Sequence, residues 1–165
     1  MICAMEDAAI AKSSGGGWAS LGIGEITVDS AADESCWPRG CGDAFAVRPS
    51  NKKLRLRAAN GAEMEHDGEK EITFRQEGVD GVMGLNFQVT EVKKALVAVW
   101  RLVEHGNVVC FGPEAHDNYI MNVLTKQKIP LYKRGGSYVM RVEFVKSIAG
   151  GPTAGDERFF QGQAR

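Results

Sequence analysis

The residues best placed to do chemistry are Asp29 and Ser30, in the run Ile26-Thr27-Val28-Asp29-Ser30-Ala31-Ala32-Asp33-Glu34-Ser35. A β-branched strand runs directly into a carboxylate, a hydroxyl and two small side chains. Burying a carboxylate at a strand end costs free energy unless partners hold it. A turn of small residues lets backbone amides and the Ser30 hydroxyl come close enough to do so. A carboxylate held this way can serve as a general acid or base. The plain alternative is a turn in which Asp29 caps the next segment. Asp43-Ala44-Phe45 and Asp80-Gly81-Val82 lack the hydroxyl residue, so the chain has one motif of this kind.

Other groupings offer less. Cys36 and Cys41, with His66 or His105, would have to ligate zinc through a Cys-x4-Cys spacing with no second pair. A structural zinc site completes its tetrahedron with a second pair of ligands, which this chain does not offer at a matching spacing, so neither a metal nor a cofactor is expected. His116-Asp117 has no serine or cysteine in a nucleophile context. Gly15-Gly16-Gly17 lacks the Gly-Lys-Ser/Thr ending of a phosphate loop. Trp18, Trp37 and Trp100 read as packing residues.

The elements that must position Asp29 are mostly strands. Ile26 and Val28 alternate with Thr27 and Asp29. Leu54, Leu56 and Ala58 alternate with Arg55 and Arg57. Ile72 and Phe74 alternate with Thr73 and Arg75, and Leu85, Phe87 and Val89 with Asn86, Gln88 and Thr90. Period-two alternation is the mark of a half-buried strand. Val108 to Phe111 and Tyr119 to Leu124 are short apolar runs of the same kind. Ile129 to Tyr132 and Tyr138 to Val145 flank Arg134-Gly135-Gly136-Ser137 as a hairpin. Val99, Leu102 and Val103 fall instead on one helical face, with Gly106-Asn107 as the stop. The predicted class is all-β, mainly antiparallel, with one short helix.

Glu63, Glu65, Asp67, Glu69 and Glu71 place carboxylates at alternate positions, with His66 and Lys70 between them. Polar groups on both faces predict a solvent-exposed arm, turning at Asn60-Gly61. Such an arm is either a surface loop or a mobile cover over a site.

Composition sets the outer bounds. A chain of 165 residues with 44% hydrophobic residues suits one domain with flanking sequence. Residues 1–20 and 148–165 read as flexible tails, leaving 21–147 as the structured domain. The net charge of -1 recommends neither nucleic acid nor an anionic membrane as a partner. Lys52-Lys53 and Lys93-Lys94 read as solvated turns. No apolar run is long enough to span a bilayer, and Met1 to Ile10 lacks the pattern of a secretory signal. Four cysteines in a chain with an ample core predict free thiols in a reducing compartment. The expected location is therefore intracellular and cytoplasmic.

The sequence also resembles the retropepsin-like aspartic proteases, especially those in copia-type retrotransposon polyproteins. Four blocks match in order. ITVDSAAD at 26–33 looks like the family's apolar strand, Asp-Ser/Thr-Gly-Ala loop and following acid. LRLRAANG at 54–61 looks like the strand leading to the flap tip. FQVTEV at 87–92 resembles an inner strand of the second half. ALVAVWRLVEHG at 95–106 resembles the run in which aliphatics precede a short helix ending in glycine. VVCF at 108–111 continues as the next strand, and the resemblance covers about residues 24–145.

The resemblance implies a retropepsin-like acid-protease barrel protomer. It implies an aspartic endopeptidase in which two carboxylates share one proton, because two like charges so close cannot both ionise. With one motif per chain, the second carboxylate would come from a second copy across a two-fold axis. Asp29 would be catalytic, and Ser30 and Ala31 would form the braced loop. Ala59, Asn60 and Gly61 would be the flap tip over an extended peptide substrate held by main-chain hydrogen bonds. Two positions depart from the family pattern. Ala31 stands where glycine is usual, and Trp100 is bulky for its place. Both also fit a catalytically inactive, domesticated relative serving as a binding or structural subunit of a larger assembly.

Overall fold

The computed structural model describes residues 13–14, 17–79 and 81–148. Most of the expected tails lie outside the described residues, as does Asp80. Alternating sequence produces thirteen strands in this part of the chain. They are β1 (Ser13–Ser14), β2 (Trp18–Asp29), β3 (Cys36–Pro38), β4 (Leu56–Arg57), β5 (Glu63–Met64), β6 (His66–Gln76), β7 (Val82–Thr90), β8 (Leu96–Ala98), β9 (Asn107–Cys110), β10 (Tyr119–Asn122), β11 (Lys128–Pro130), β12 (Tyr132–Arg134) and β13 (Ser137–Ser147). One helix, α1 (Val99–Glu104), and a 3₁₀ turn at Ala115–Asp117 complete the set. The class is all-β with one short helix.

Eight strands form the main sheet in the order β1-β2-β8-β3-β7-β6-β13-β12, and β13 also pairs with β2. The second pairing closes β2, β8, β3, β7, β6 and β13 into a ring. Most neighbours are antiparallel, but β2 with β8 and β3 with β7 are parallel. Inside the ring lie Ile26, Phe74, Phe87, Val97, Met140 and Phe144, all nearly inaccessible. Burying each side chain of this size contributes about 1.5–3 kcal/mol. Trp37 packs edge-on against Phe87 and Phe144 at 5.3 and 5.7 Å. Its indole N–H donates to the Cys41 carbonyl at 3.0 Å, so the buried ring leaves no unmet donor. Trp37 is thus a packing residue, as the sequence reading had it. Among the described residues no helix is long and apolar enough to cross a membrane.

Expected strands recur, with corrections at four places. The domain was expected to begin at residue 21, but β2 begins at Trp18, and Trp18 and Ala19 are buried. Ser13–Ser14, read as linker, pairs with Trp18 and Ala19. The cause is non-local: β13 extends along β2 as far as the Ser147–Trp18 pair.

The second correction concerns the acidic segment. Its turn at Asn60-Gly61 does lie in a small exposed hairpin, β4–β5. From His66 onward, however, the chain is β6, a strand of the main sheet. Lys70 is only 3% exposed. Its ammonium group donates to the Cys41 and Gly42 carbonyls at 2.6 and 3.1 Å, which makes its burial tolerable. Gly68 is required here: at φ +141° an added Cβ would lie 2.4 Å from the Arg48 carbonyl oxygen. The register shift between His66 and Gly68 falls at the same place.

The third correction is to the cysteines. Cys36 and Cys110 are free thiols, but Cys41 is disulfide-bonded, against the expectation of free thiols throughout.

The hairpin at 132–147 forms as expected, with Gly135 and Gly136 both at positive φ, as a two-residue turn of the primed type demands. Ile129, expected in that hairpin, instead belongs to β11, which pairs with β10. Helix α1 also forms as expected; it ends at Glu104, and Gly106, just past its His105 cap, has a φ of +84°. Leu102 is its buried anchor, while Val103 is 54% exposed.

Candidate active site

Asp29 is the last residue of β2. That strand is hydrogen-bonded on one side to β13 and on the other to the parallel strand β8, where Asp29 is the register partner of Ala98. At Asp29 itself only β8 lies alongside, because the β13 pairing ends at Val28, and the half-buried Asp29 side chain lies where the sheet gives way to a loop. One carboxylate oxygen accepts a hydrogen bond from the Ala31 amide at 2.9 Å. Ser30 and Ala31 are exposed. Among the described non-glycine residues only Lys126 has a positive φ, so Ala31 sits in ordinary backbone conformation and its methyl group strains no dihedral.

The loop from Asp29 to Ser35 is tied to β8 at both ends. Asp29 pairs with Ala98 at its start. At its finish the buried Ser35 hydroxyl oxygen accepts from the Ala98 amide at 3.0 Å. The Ser35 carbonyl in turn accepts from the Gln88 amide of β7 at 2.8 Å. A single residue, Ala98, therefore holds both ends of the loop.

Helix α1 holds its middle. The Trp100 indole N–H donates to the Asp33 carbonyl at 2.8 Å. Arg101 donates to one oxygen of Glu34 at 2.8 Å. Lys52 meets the other oxygen at 3.1 Å, so it is engaged rather than merely solvated as expected. The Arg101 guanidinium also stacks over the Trp100 ring, 4.1 Å from its centre. A cleft of about 140 Å³ opens beside Glu34, Lys52, Arg101 and His105. It is smaller than the roughly 300–1,000 Å³ of ordinary ligand sites.

The candidate cover residues lie elsewhere in the chain's hydrogen-bonding. Ala59, Asn60 and Gly61 form the tip of the β4–β5 hairpin and are exposed. The tip is closed by bonds from the Ala58 amide to the Ala62 carbonyl and from the Gly61 amide to the Ala58 carbonyl, each 2.9 Å. The Asn60 side chain accepts from the Ala62 amide at 3.0 Å. These bonds stay within the hairpin. At its base Arg39 gathers Glu65, Asp67 and Glu91.

Compared with family models, with curated proteins and with solved structures, the chain matches none of them.

The other sequence candidates take structural roles. His66 hydrogen-bonds the Gln88 side chain at 2.7 Å, and His105 bonds the Arg101 carbonyl at the same distance. The Cys36 thiol is pushed up to about 11, chiefly by burial and then by the charge of Glu34. It is therefore protonated and unreactive near neutral pH. Among the described residues no three or more His, Cys, Asp or Glu side chains gather as a metal site.

Four residues of this region escaped sequence reasoning: Glu34, Ser35, Arg101 and the bonding role of Trp100. The bonds that join them, Ala98 to Ser35, Trp100 to Asp33 and Arg101 to Glu34, span 63, 67 and 67 positions. The one available signal was Arg101 in the helix that follows the strand paired with Asp29.

Proposed function

We propose that this chain is one protomer of a retropepsin-like aspartic endopeptidase, active as a homodimer, with Asp29 as its catalytic carboxylate. The observation that carries the reading is the seating of Asp29. It lies at the end of a doubly paired strand, next to a parallel strand, and opens into a small-residue loop held at both ends by Ala98. Strand ends of this kind fix a carboxylate while leaving it reachable.

In this reading two Asp29 carboxylates meet across a two-fold axis and share one proton. The ionised one removes a proton from a water molecule, which attacks the peptide carbonyl. The protonated one donates to that carbonyl oxygen. Ser30, exposed on this chain, braces the loop across the axis. The substrate is an extended peptide bound through its main chain, with Ala59, Asn60 and Gly61 closing over it. The sequence blocks at 26–33, 54–61, 87–92 and 95–106 suggest a domain of a retrotransposon-type polyprotein working in the cytoplasm.

A second reading has its own observation. The Asp29 carboxylate accepts from the Ala31 amide two residues on, which is what a plain turn-capping aspartate does. With alanine at 31, the loop would then serve a catalytically inactive module bound into a larger assembly.

The homodimer reading is tested by measuring peptide cleavage and sedimentation over the same concentration range. Specific activity should rise with the dimer fraction and fall with a statine-type inhibitor. Full activity at concentrations where the chain sediments as a monomer would contradict it.

A further inference from the structure

We infer that Trp100 is a positioning residue for the Asp29 loop, acting through its indole N–H on the Asp33 carbonyl. The inference rests on Asp29 being the catalytic carboxylate and adds a residue that the sequence marked only as a packing residue and an oversized departure from the family pattern.

The geometry argues for it in three steps. First, the loop from Asp29 to Ser35 is anchored at its ends by Ala98 and has a span of exposed or half-buried residues between. Backbone held only at its ends still moves in the middle. Second, Trp100 lies two residues beyond Ala98, in the first turn of α1. Its rigid ring reaches back to the loop's middle and bonds Asp33 at 2.8 Å. Of the large apolar types, only tryptophan combines a broad ring with a strong N–H donor. Third, Trp100 is 45% exposed. An indole so exposed contributes little to core packing, so its placement needs another reason. Arg101 supplies orientation from two sides: it stacks on the Trp100 ring and bonds Glu34, the residue after Asp33.

The consequence is mechanical. The Asp33 contact limits how far the loop can swing, and the loop carries the carboxylate that must meet its counterpart. Small misplacements of a reacting group are costly to the rate, whereas peptide binding along the main chain is made elsewhere. Loss of the N–H should therefore appear in kcat more than in KM.

The test uses Trp100→Phe, which keeps an aromatic ring beside Arg101 and removes the donor. Trp100→His is the rescue variant, because its ring can restore an N–H. Melting temperature, amide hydrogen exchange of residues 30–35, and kcat and KM on a cleaved peptide are measured for each. The expected result for Trp100→Phe is an unchanged melting temperature and exchange at 30–35 faster by about three- to tenfold, the worth of one hydrogen bond. With it comes a kcat lower by a similar factor at nearly constant KM, and partial recovery in Trp100→His. Wild-type exchange and kcat in Trp100→Phe would overturn the inference while leaving Asp29 catalytic. A wild-type chain that cleaves no peptide as a dimer would overturn the catalytic reading itself, and the positioning role with it.

Discussion

Asp29 and Ala98 are register partners in parallel strands, and the Ala98 amide also donates to the Ser35 hydroxyl oxygen that ends the Asp29 loop. One backbone position thereby sets the width of the loop. Ser35→Ala leaves that buried amide without its acceptor. It should lower stability by about 1–3 kcal/mol, read from urea unfolding. An unchanged midpoint would show that the loop does not depend on this bond.

Lys70 is buried against carbonyls that already have other donors. Cys41 accepts from the Trp37 indole and Gly42 from the Phe45 amide. Lys70→Met therefore strands no acceptor, and it should leave stability unchanged or raise it, as replacements of buried charge often do. Burial holds the Lys70 ammonium below its ordinary value, with Asp43 opposing. The unfolded chain then keeps the proton at pH values where the folded chain has lost it. Stability should rise with pH from the folded value up to about 10.4, the ordinary value of lysine. That rise should be missing from Lys70→Met in matched unfolding curves.

Arg75 and Glu143 are cross-strand partners on β6 and β13, with Arg75 buried. The Arg75 hydrogen bond lowers the Glu143 carboxyl, burial opposes it, and Ser20 adds a further bond. A depressed carboxyl adds stability that is complete above the ordinary glutamate value of about 4.3. The contribution is lost as pH falls through the folded value. Glu143→Gln should cost about 1–3 kcal/mol at pH 7, with the difference from wild type shrinking below pH 4. An equal difference at pH 3 and pH 7 would contradict this assignment.

These features mark the limits of what the sequence made legible. Alternation at 26–29, 72–75 and 85–90 located β2, β6 and β7, although the faces that read as solvated are largely covered: Thr27, Thr73, Arg75, Gln88 and Thr90 are buried. The 3.6-residue spacing of Val99 and Leu102 located α1. Charge misled at 63–71. Lys70 is satisfied by carbonyls of a distant loop, and no local pattern reveals that. The start of β2 at Trp18 misled in the same way, since its pairing with β13, more than a hundred positions on, fixes it. Around Asp29 the three loop residues were legible as a motif. The Trp100 and Arg101 contacts depend on a fold that joins positions 67 apart.

Ala31 separates the two readings of the loop. It is exposed and in ordinary backbone conformation, so Ala31→Gly should fold. The added freedom of the unfolded chain should cost about 0.4–1 kcal/mol. If the methyl group crowds the two-fold axis, Ala31→Gly should cleave peptides faster than wild type and dimerise more tightly. Activity arising only in Ala31→Gly would favour the inactive-module reading for the natural chain.

The central claim is that Asp29 performs peptide hydrolysis. It is met most directly by incubating wild type and Asp29→Asn, both dimeric and equally folded, with a peptide library from pH 4 to pH 8. Wild type should cleave internal peptide bonds, faster at the acid end, and Asp29→Asn should be slower by about 10³-fold or more. Equal cleavage by the two proteins, or none by wild type, would contradict it.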